Sequence, residues 1–252
     1  MPEPADPGDL SGNYLADLNL IKVKYIRSIK PLQIEGISSQ VVESFTAKQV
    51  KNLSSEAVAA FSSNQIKSLS VNAISGFKPR QIKSLSPDSL SGMTKKQASG
   101  LKAKLLKHLT AEQIKNLSIK TFKELSPEQL AKLSKDAITG LTCKQLKTLI
   151  GDELSAFTPA QIKAIDPDVM SCLKPSALNG LNKSQIEALT DDQLAGLSKK
   201  QIKKAVDFIE ALSSEVITSF VFTDRPRLID EAYELIEDTK DKEQFNDSKN
   251  NI

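Results

Sequence analysis

The chain has 252 residues, a net charge of +3, 5% aromatic residues, no tryptophan and two cysteines. Its length suits one elongated repeat domain or about two compact domains, and the few aromatic residues favour a thin, continuous core. No run of about 18 apolar residues occurs, which argues against a membrane-spanning helix. The first residues are acidic and proline-rich, unlike a secretory signal. We therefore expect a cytoplasmic protein by default, with leaderless export or a cell-surface location left open.

Four segments are expected in chain order. Residues 1–28 form a disordered start and an N-terminal cap, 29–204 an octapeptide-repeat solenoid, 205–238 a C-terminal helical cap, and 239–252 a disordered tail. Caps are expected because the end repeats of a solenoid would otherwise expose an apolar edge. In the C-terminal cap, the pattern predicts one helix that continues through Leu212 and a last helix from about Pro226 to Asp238.

Residues 29–204 repeat with a period of eight for 22 repeats, and positions 1 and 6 of every repeat are apolar. Position 2 is Ser or Thr in 15 of the 22 repeats, which is typical of a helix N-cap. Proline recurs at position 3, and glutamine at position 5 completes a capping box. Position 8 holds seven glycines, which we expect to close each helix in a left-handed turn. Each repeat thus predicts one short helix and a sharp change of direction.

Helices this short cannot persist alone, so the pattern predicts an all-α solenoid or superhelix in which neighbouring repeats pack together. One continuous helix is excluded by the drift of the apolar stripe and by the prolines, and a strand by the 5-then-3 apolar spacing. Glutamine occupies position 5 in every second repeat as far as Val169, which predicts two repeats per coil. We expect a change of curvature or of coil phase after that residue.

Two repeats depart from the pattern, those that begin at Leu101 and Leu149, and both lack the capping residue. The first of these lies within a stretch, Lys95 to His108, that reads as one longer helix running through Gly100. Both repeats are candidate sites of a bend in the solenoid.

The repeats LTAEQIKN, LSPEQLAK, FTPAQIKA and LTDDQLAG contain the cap, the glutamine and both apolar positions. They resemble the tandem LTxxQ(I/V)xx octapeptide repeats of large bacterial cell-surface and flagellum-associated proteins. The resemblance covers most of the chain, from position 29 to position 204. It implies a spacer or a binding surface and brings no catalytic residues with it. The richness in lysine is not part of that pattern.

Lysine recurs at position 7 of the glutamine repeats. If two repeats make one coil, these lysines form a ladder along one face, a candidate binding face for an acidic protein, a polyanionic glycan or nucleic acid. The alternative is a solvated face that keeps the array in solution. Nucleic acid is the weakest of the three partners, since no aromatic platform or arginine cluster accompanies the lysines. The lysine ladder consists of Lys51, Lys67, Lys83, Lys115, Lys147 and Lys163.

His108 is the only histidine and falls at a turn position, so we interpret it as a surface turn residue. Cys143 and Cys172 lie far apart in sequence, which argues against a disulfide framework and against a metal site formed by these two residues alone. An inert structural role is expected for both, with Cys143, in the first turn of a helix, the better candidate for a reactive thiol.

The sequence predicts a non-enzymatic repeat scaffold or protein-interaction module with no catalytic residue, metal or cofactor. Its partner is expected to be a protein, acidic if the lysine ladder is the binding face, and the oligomeric state is left open. The first alternative is a rigid spacer or stalk in a bacterial surface or secreted assembly. The second is a polyanion binder that uses the lysine ladder, whose affinity would fall steeply with salt.

Overall fold

The computed structural model describes residues 23–198 and residue 201. The described residues contain short α-helices and turns and no strand, which confirms the predicted all-α solenoid of short helices. The predictions for the N-terminal start, the C-terminal helices and the tail lie outside these residues. The helices, each of four to six residues, are α1 (Val23–Ile26), α2 (Pro31–Gly36), α3 (Ser39–Glu43), α4 (Ala47–Asn52), α5 (Ser55–Ala59), α6 (Ser63–Ser68), α7 (Val71–Ile74), α8 (Pro79–Ser84), α9 (Pro87–Ser91), α10 (Lys95–Gly100), α11 (Ala103–Leu106), α12 (Ala111–Asn116), α13 (Ile119–Phe122), α14 (Pro127–Ala131), α15 (Lys135–Thr139), α16 (Cys143–Leu146), α17 (Gly151–Ser155), α18 (Pro159–Ile162), α19 (Pro167–Met170), α20 (Pro175–Leu178), α21 (Lys183–Glu187) and α22 (Asp191–Ala195).

The capping residues begin the helices as predicted. At α4, the Thr46 hydroxyl accepts a hydrogen bond from the Gln49 N–H at 3.2 Å, and the Thr46 N–H donates to Gln49 Oε1 at 2.8 Å. The two bonds pair N–H groups that the first turn of a helix leaves without a partner. Five of the described repeats have no side-chain cap, at Lys30, Lys78, Lys102, Ile150 and Lys174. They include the two that depart from the pattern, which begin at Leu101 and Leu149.

The stretch from Lys95 to His108 is not one helix, so this prediction was wrong. Helix α10 ends at Gly100, Leu101 turns the chain in an extended conformation, and α11 starts at Ala103. Leu101 is buried, with 4% of its surface exposed. Burial of that leucine at position 1 requires the chain to change direction there, as in every other repeat, even though no side chain caps the next helix.

Both apolar rows face the core. The side chains at position 1, from Ile29 to Leu197, are each 0–7% exposed, and the described ones at position 6, from Ile34 to Leu194, are each 0–3% exposed. Burial of two apolar side chains in every repeat is the main driving force for the array, because helices of this length have little stability of their own.

The chain divides into two compact units at the Gly140–Leu141 boundary. Within each unit a helix packs against the third helix along the chain, not the second. In the first unit, for example, α6 contacts α3 and α9, and α12 contacts α9 and α15. In the second unit, α16 contacts α19 and α19 contacts α22.

The predicted coil of two repeats was therefore wrong. Contacts between successive turns join positions that are 28 to 31 apart in sequence, as in the bonds of Gln81 to Leu53 and Val50. One turn of the coil thus contains between three and four repeats. A turn of this size surrounds a core that buries both apolar rows. Two helices side by side would not surround such a core.

The alternation of glutamine between repeats has another origin. Because the packing offset is three, an odd number of repeats, a glutamine helix packs against helices that carry a smaller residue at position 5. Helix α6, which contains Gln65, lies between α3 with Val41 and α9 with Ser89. After Val169 this changes, since α18 and α21 are in contact and carry Gln161 and Gln185. The packing offset of three is the same before and after Val169, so the predicted change of coil phase was wrong for the described residues.

The glycines at position 8 do not adopt the left-handed conformation that was predicted. Gly92 and Gly140 have φ values of −74° and −84°, in the right-handed helical region. A Cβ atom at Gly92 would overlap the backbone of Ser63, and one at Gly140 would overlap the backbone of Ala111. These glycines are needed for the close approach of the neighbouring turn, and not for their backbone freedom. Gly36, with nothing within 4 Å of its Cβ position, is an exception.

Candidate functional site

The glutamines at position 5 connect one turn of the coil to the next. Gln81 is 2% exposed, and its Oε1 accepts from the Lys78 N–H at 2.7 Å. Its Nε2 donates to the carbonyls of Val50 and Leu53, both at 2.8 Å. The side chain thus caps its own helix and pairs two carbonyls at the end of a helix in the preceding turn. The same arrangement recurs at Gln65, Gln97, Gln113, Gln129, Gln185 and Gln193.

Sequence reasoning found only the capping half of this role. Shorter polar residues at position 5 also reach the preceding turn: the Thr121 hydroxyl donates to the Met93 carbonyl at 2.6 Å, and Ser89 bonds the Phe61 carbonyl. The capping box accounts only for the oxygen of the glutamine side chain. A buried amide also needs acceptors for its NH2 group, so a glutamine at a buried position indicates a second bond. The buried glutamines are therefore scaffold residues, and not a binding site.

A second set of contacts joins position 8 of one repeat to position 3 of the repeat three before it. Gly76 lies against Ala47, Gly92 against Ser63, and Gly180 against Gly151. At Glu124 the contact is an ion pair, in which Oε1 accepts from Lys95 Nζ at 2.7 Å. We call these contacts the cross-turn pairs. Each pair brings two sequence-distant residues to the surface of the coil at short range.

Cys143 and Cys172 form one of these cross-turn pairs, and they are joined by a disulfide with a Cα–Cα distance of 5.2 Å. The argument against a disulfide was therefore wrong. The two cysteines are 29 residues apart in sequence, but one turn of the coil brings their positions together. Both cysteines are half-buried, at the first residue of α16 and in the turn that follows α19. The bond lies within the second unit.

The six lysines of the ladder are all exposed, but those of the first unit do not share one face as a coil of two repeats implied. Two repeats are about half of a turn, so Lys67 lies on the opposite side of the coil from Lys51. Equivalent positions four repeats apart are separated by about 32 residues, close to the 28 and 31 that separate bonded positions of successive turns, so they come nearest to alignment. Lys51, Lys83 and Lys115 meet this condition within the first unit, whereas Lys147 and Lys163 belong to the second.

Two glutamines connect these three lysines through the backbone. Gln81, on the helix of Lys83, bonds the carbonyls on either side of Lys51, those of Val50 and Leu53. Gln113, on the helix of Lys115, bonds the Lys83 carbonyl at 3.4 Å, together with two neighbouring carbonyls. Arg80, next to Gln81 in sequence, is also exposed and lies on the helix of Lys83. We call Lys51, Arg80, Lys83 and Lys115 the basic column.

One acidic residue interrupts the basic column. Glu112 lies three residues before Lys115 on α12, and its Oε1 lies 3.9 Å from Lys115 Nζ with both side chains more than half exposed. Such an exposed pair contributes little to stability, about 0–1 kcal/mol. The described part of the first unit nevertheless carries 19 basic and 8 acidic side chains, a net charge of +11, whereas that of the second carries 5 and 7, a net charge of −2. In the full sequence, residues 141–204 carry 9 basic and 7 acidic side chains, so most of the positive charge of the array lies in the first unit.

The remaining titratable groups form no second site in the described part of the chain. His108 is half-buried in a turn, as expected of a turn residue. Hydrogen bonds from the backbone at Glu56 and from the Ser54 side chain lower the pKa of the exposed Glu56 carboxyl, which is an effect of helix capping. Among residues 23–198, no group of three or more His, Cys, Asp or Glu side chains is placed to hold a metal ion. None of the helices described is long and apolar enough to cross a bilayer.

No protein-family model matches the chain, and no curated protein is similar to it.

Proposed function

We propose that the chain is a non-enzymatic repeat scaffold, a protein-interaction module that presents a repeated polar surface to a partner. One observation carries this proposal: the buried glutamines are bonded to the scaffold itself, on one side to their own cap and on the other to the preceding turn. The side chains left for a partner are the exposed ones, chiefly at positions 4 and 7 of each repeat, and the coil fixes their spacing.

Preorganisation supports the same proposal. Within each unit, one turn is bonded to the next by glutamine amides, by the cross-turn pairs and by the apolar core. A surface held in this way loses little conformational entropy when a partner binds, so a modest set of contacts gives useful affinity. The resemblance to bacterial surface repeats is the reason to keep a rigid stalk as the competing function, in which length matters and the side chains do not.

Site-specific photocrosslinking in the source cells separates the two functions. A photoreactive residue would replace exposed Glu112 in one variant and exposed Asn64, on another side of the coil, in a second variant. The interaction module predicts one defined crosslinked partner that depends on the position of the probe. A stalk predicts no defined adduct from either position, and that result would overturn the proposal.

A further inference from the structure

The strongest feature outside the scaffold is the basic column of the first unit, namely Lys51, Arg80, Lys83 and Lys115. Its members are exposed and come from α4, α8 and α12, which lie in successive turns of the coil. Hydrogen bonds from Gln81 and Gln113 to backbone carbonyls of the preceding turn fix the relative positions of these three helices. Lys48 and Lys78, also exposed, extend the positive charge on the helix of Lys51 and at the start of the helix of Lys83.

We propose that the basic column binds an extended acidic segment of a partner polypeptide, with acidic side chains at every third residue. This inference rests on the proposed interaction function and names the chemistry of its partner. Packed helices of neighbouring turns are separated by about 8–10 Å. Lysines of successive turns are therefore spaced by about this distance along the coil, with a sideways offset because α4 packs against α7 and α8 against α5. A polyproline II chain rises about 9 Å for every three residues and returns to the same face. Acidic residues three apart would therefore meet successive lysines.

Two other classes of polyanion fit less well. Single-stranded nucleic acids are bound by aromatic side chains that stack on bases, and no aromatic residue belongs to the column. Arginine, whose fork matches phosphate, occurs once in the column, as Arg80, whereas the lysines are point charges that suit carboxylates equally well. The disulfide within the second unit forms and persists in an oxidising compartment, which points away from the nucleic acids of the cytosol.

Glu112 allows binding at the basic column to be distinguished from an effect of net charge alone. Its carboxylate is exposed beside Lys115, and it would repel an acidic ligand. Replacing it with glutamine removes that repulsion and frees Lys115. If the column is the binding surface, Glu112→Gln increases affinity. The matched control is Glu128→Gln, which removes an exposed carboxylate two repeats, and so roughly half a turn, further along the coil.

The binding test uses the full chain and two fluorescent peptides, read by fluorescence anisotropy at about 50 mM salt. One peptide repeats Glu-Pro-Ala, and the other has the same composition with its glutamates contiguous. We expect the first to bind more tightly and its affinity to fall steeply as salt is raised. The triple variant Lys51→Gln, Lys83→Gln and Lys115→Gln should weaken binding about tenfold.

The control triple variant, Lys67→Gln, Lys96→Gln and Lys123→Gln, removes the same charge from exposed residues of the first unit outside the column. It should change affinity less than about twofold, and Glu112→Gln should tighten binding about two- to threefold, with little change in Glu128→Gln. Equal losses in both triple variants would show that only net charge matters and would overturn the proposal. Column-dependent binding of heparin or DNA with none of the peptide would overturn the polypeptide ligand.

Absence of binding to the peptides, heparin and DNA at low salt would overturn the basic column as a site. The photocrosslinking result keeps this failure separate from that of the scaffold function. A defined partner captured from the Asn64 position, with no peptide binding at the column, would refute this inference and leave the interaction function standing.

Discussion

Reduction of the Cys143–Cys172 disulfide should destabilise the second unit selectively. The bond closes a loop with a sequence separation of 29. In the loop-closure model, a cross-link over that length removes enough entropy from the unfolded chain to stabilise the folded one by about 3.6 kcal/mol at 25 °C. Replacing both cysteines with alanine should have the same effect, because small residues occupy several other cross-turn pairs, as at Gly140 and Ala111.

Native-state hydrogen exchange read by mass spectrometry is the appropriate assay, since it assigns a free energy of opening to each part of a repeat array. Amides that open with the second unit, between positions 143 and 172, should lose protection by up to about 400-fold on reduction. Amides of the first unit between positions 45 and 92 serve as the internal control and should not change. Unchanged protection in both regions, or an equal loss in both, would refute the reasoning from the coil geometry.

Three further substitutions test the packing by chemical denaturation. Gly92→Ala should cost about 1–3 kcal/mol because its methyl group meets the backbone of the neighbouring turn, whereas Gly36→Ala, with open space, should be neutral or stabilising; equal effects would contradict the close-approach role. Gln81→Ala should cost about 2–4 kcal/mol by leaving buried carbonyls unpaired, and exposed Gln40→Ala should cost less than about 0.5 kcal/mol. Leu133→Ala should cost about 2–5 kcal/mol, and a neutral result would mean that the inward face is misassigned.

Much of the local structure could be predicted from the sequence because its causes lie within a single repeat. Thr46 and Gln49 form a capping box at the spacing that the motif requires, and both apolar positions of each repeat are buried. These interactions need no knowledge of the neighbouring turn. The error at Lys95 to His108 arose where the local signal was weak, since Lys102 does not cap the helix that follows it and burial of Leu101 decided the boundary.

The glutamines show the limit of local reasoning in a single side chain. The oxygen of Gln81 bonds the N–H three positions back along the chain, which the capping motif predicts. Its nitrogen bonds carbonyls 28 and 31 positions back, which no local motif encodes. The same applies to the glycines at position 8, which were assigned to a backbone conformation when the actual constraint is the approach of another turn.

By itself, the sequence determined most of the helices, their starts and the residues that face the core, but not the helix boundary at Leu101. Only the tertiary structure decided how many repeats make one turn, because that number follows from how the apolar rows fill the centre of the coil. One turn is not a whole number of repeats, so residues that meet between turns occupy different positions of the repeat, such as position 8 above position 3. For that reason, aligning the sequence by its eight-residue period does not predict which residues meet between turns. Examples are the disulfide between Cys143 and Cys172, the Lys95–Glu124 ion pair and the alignment of Lys51 with Lys83.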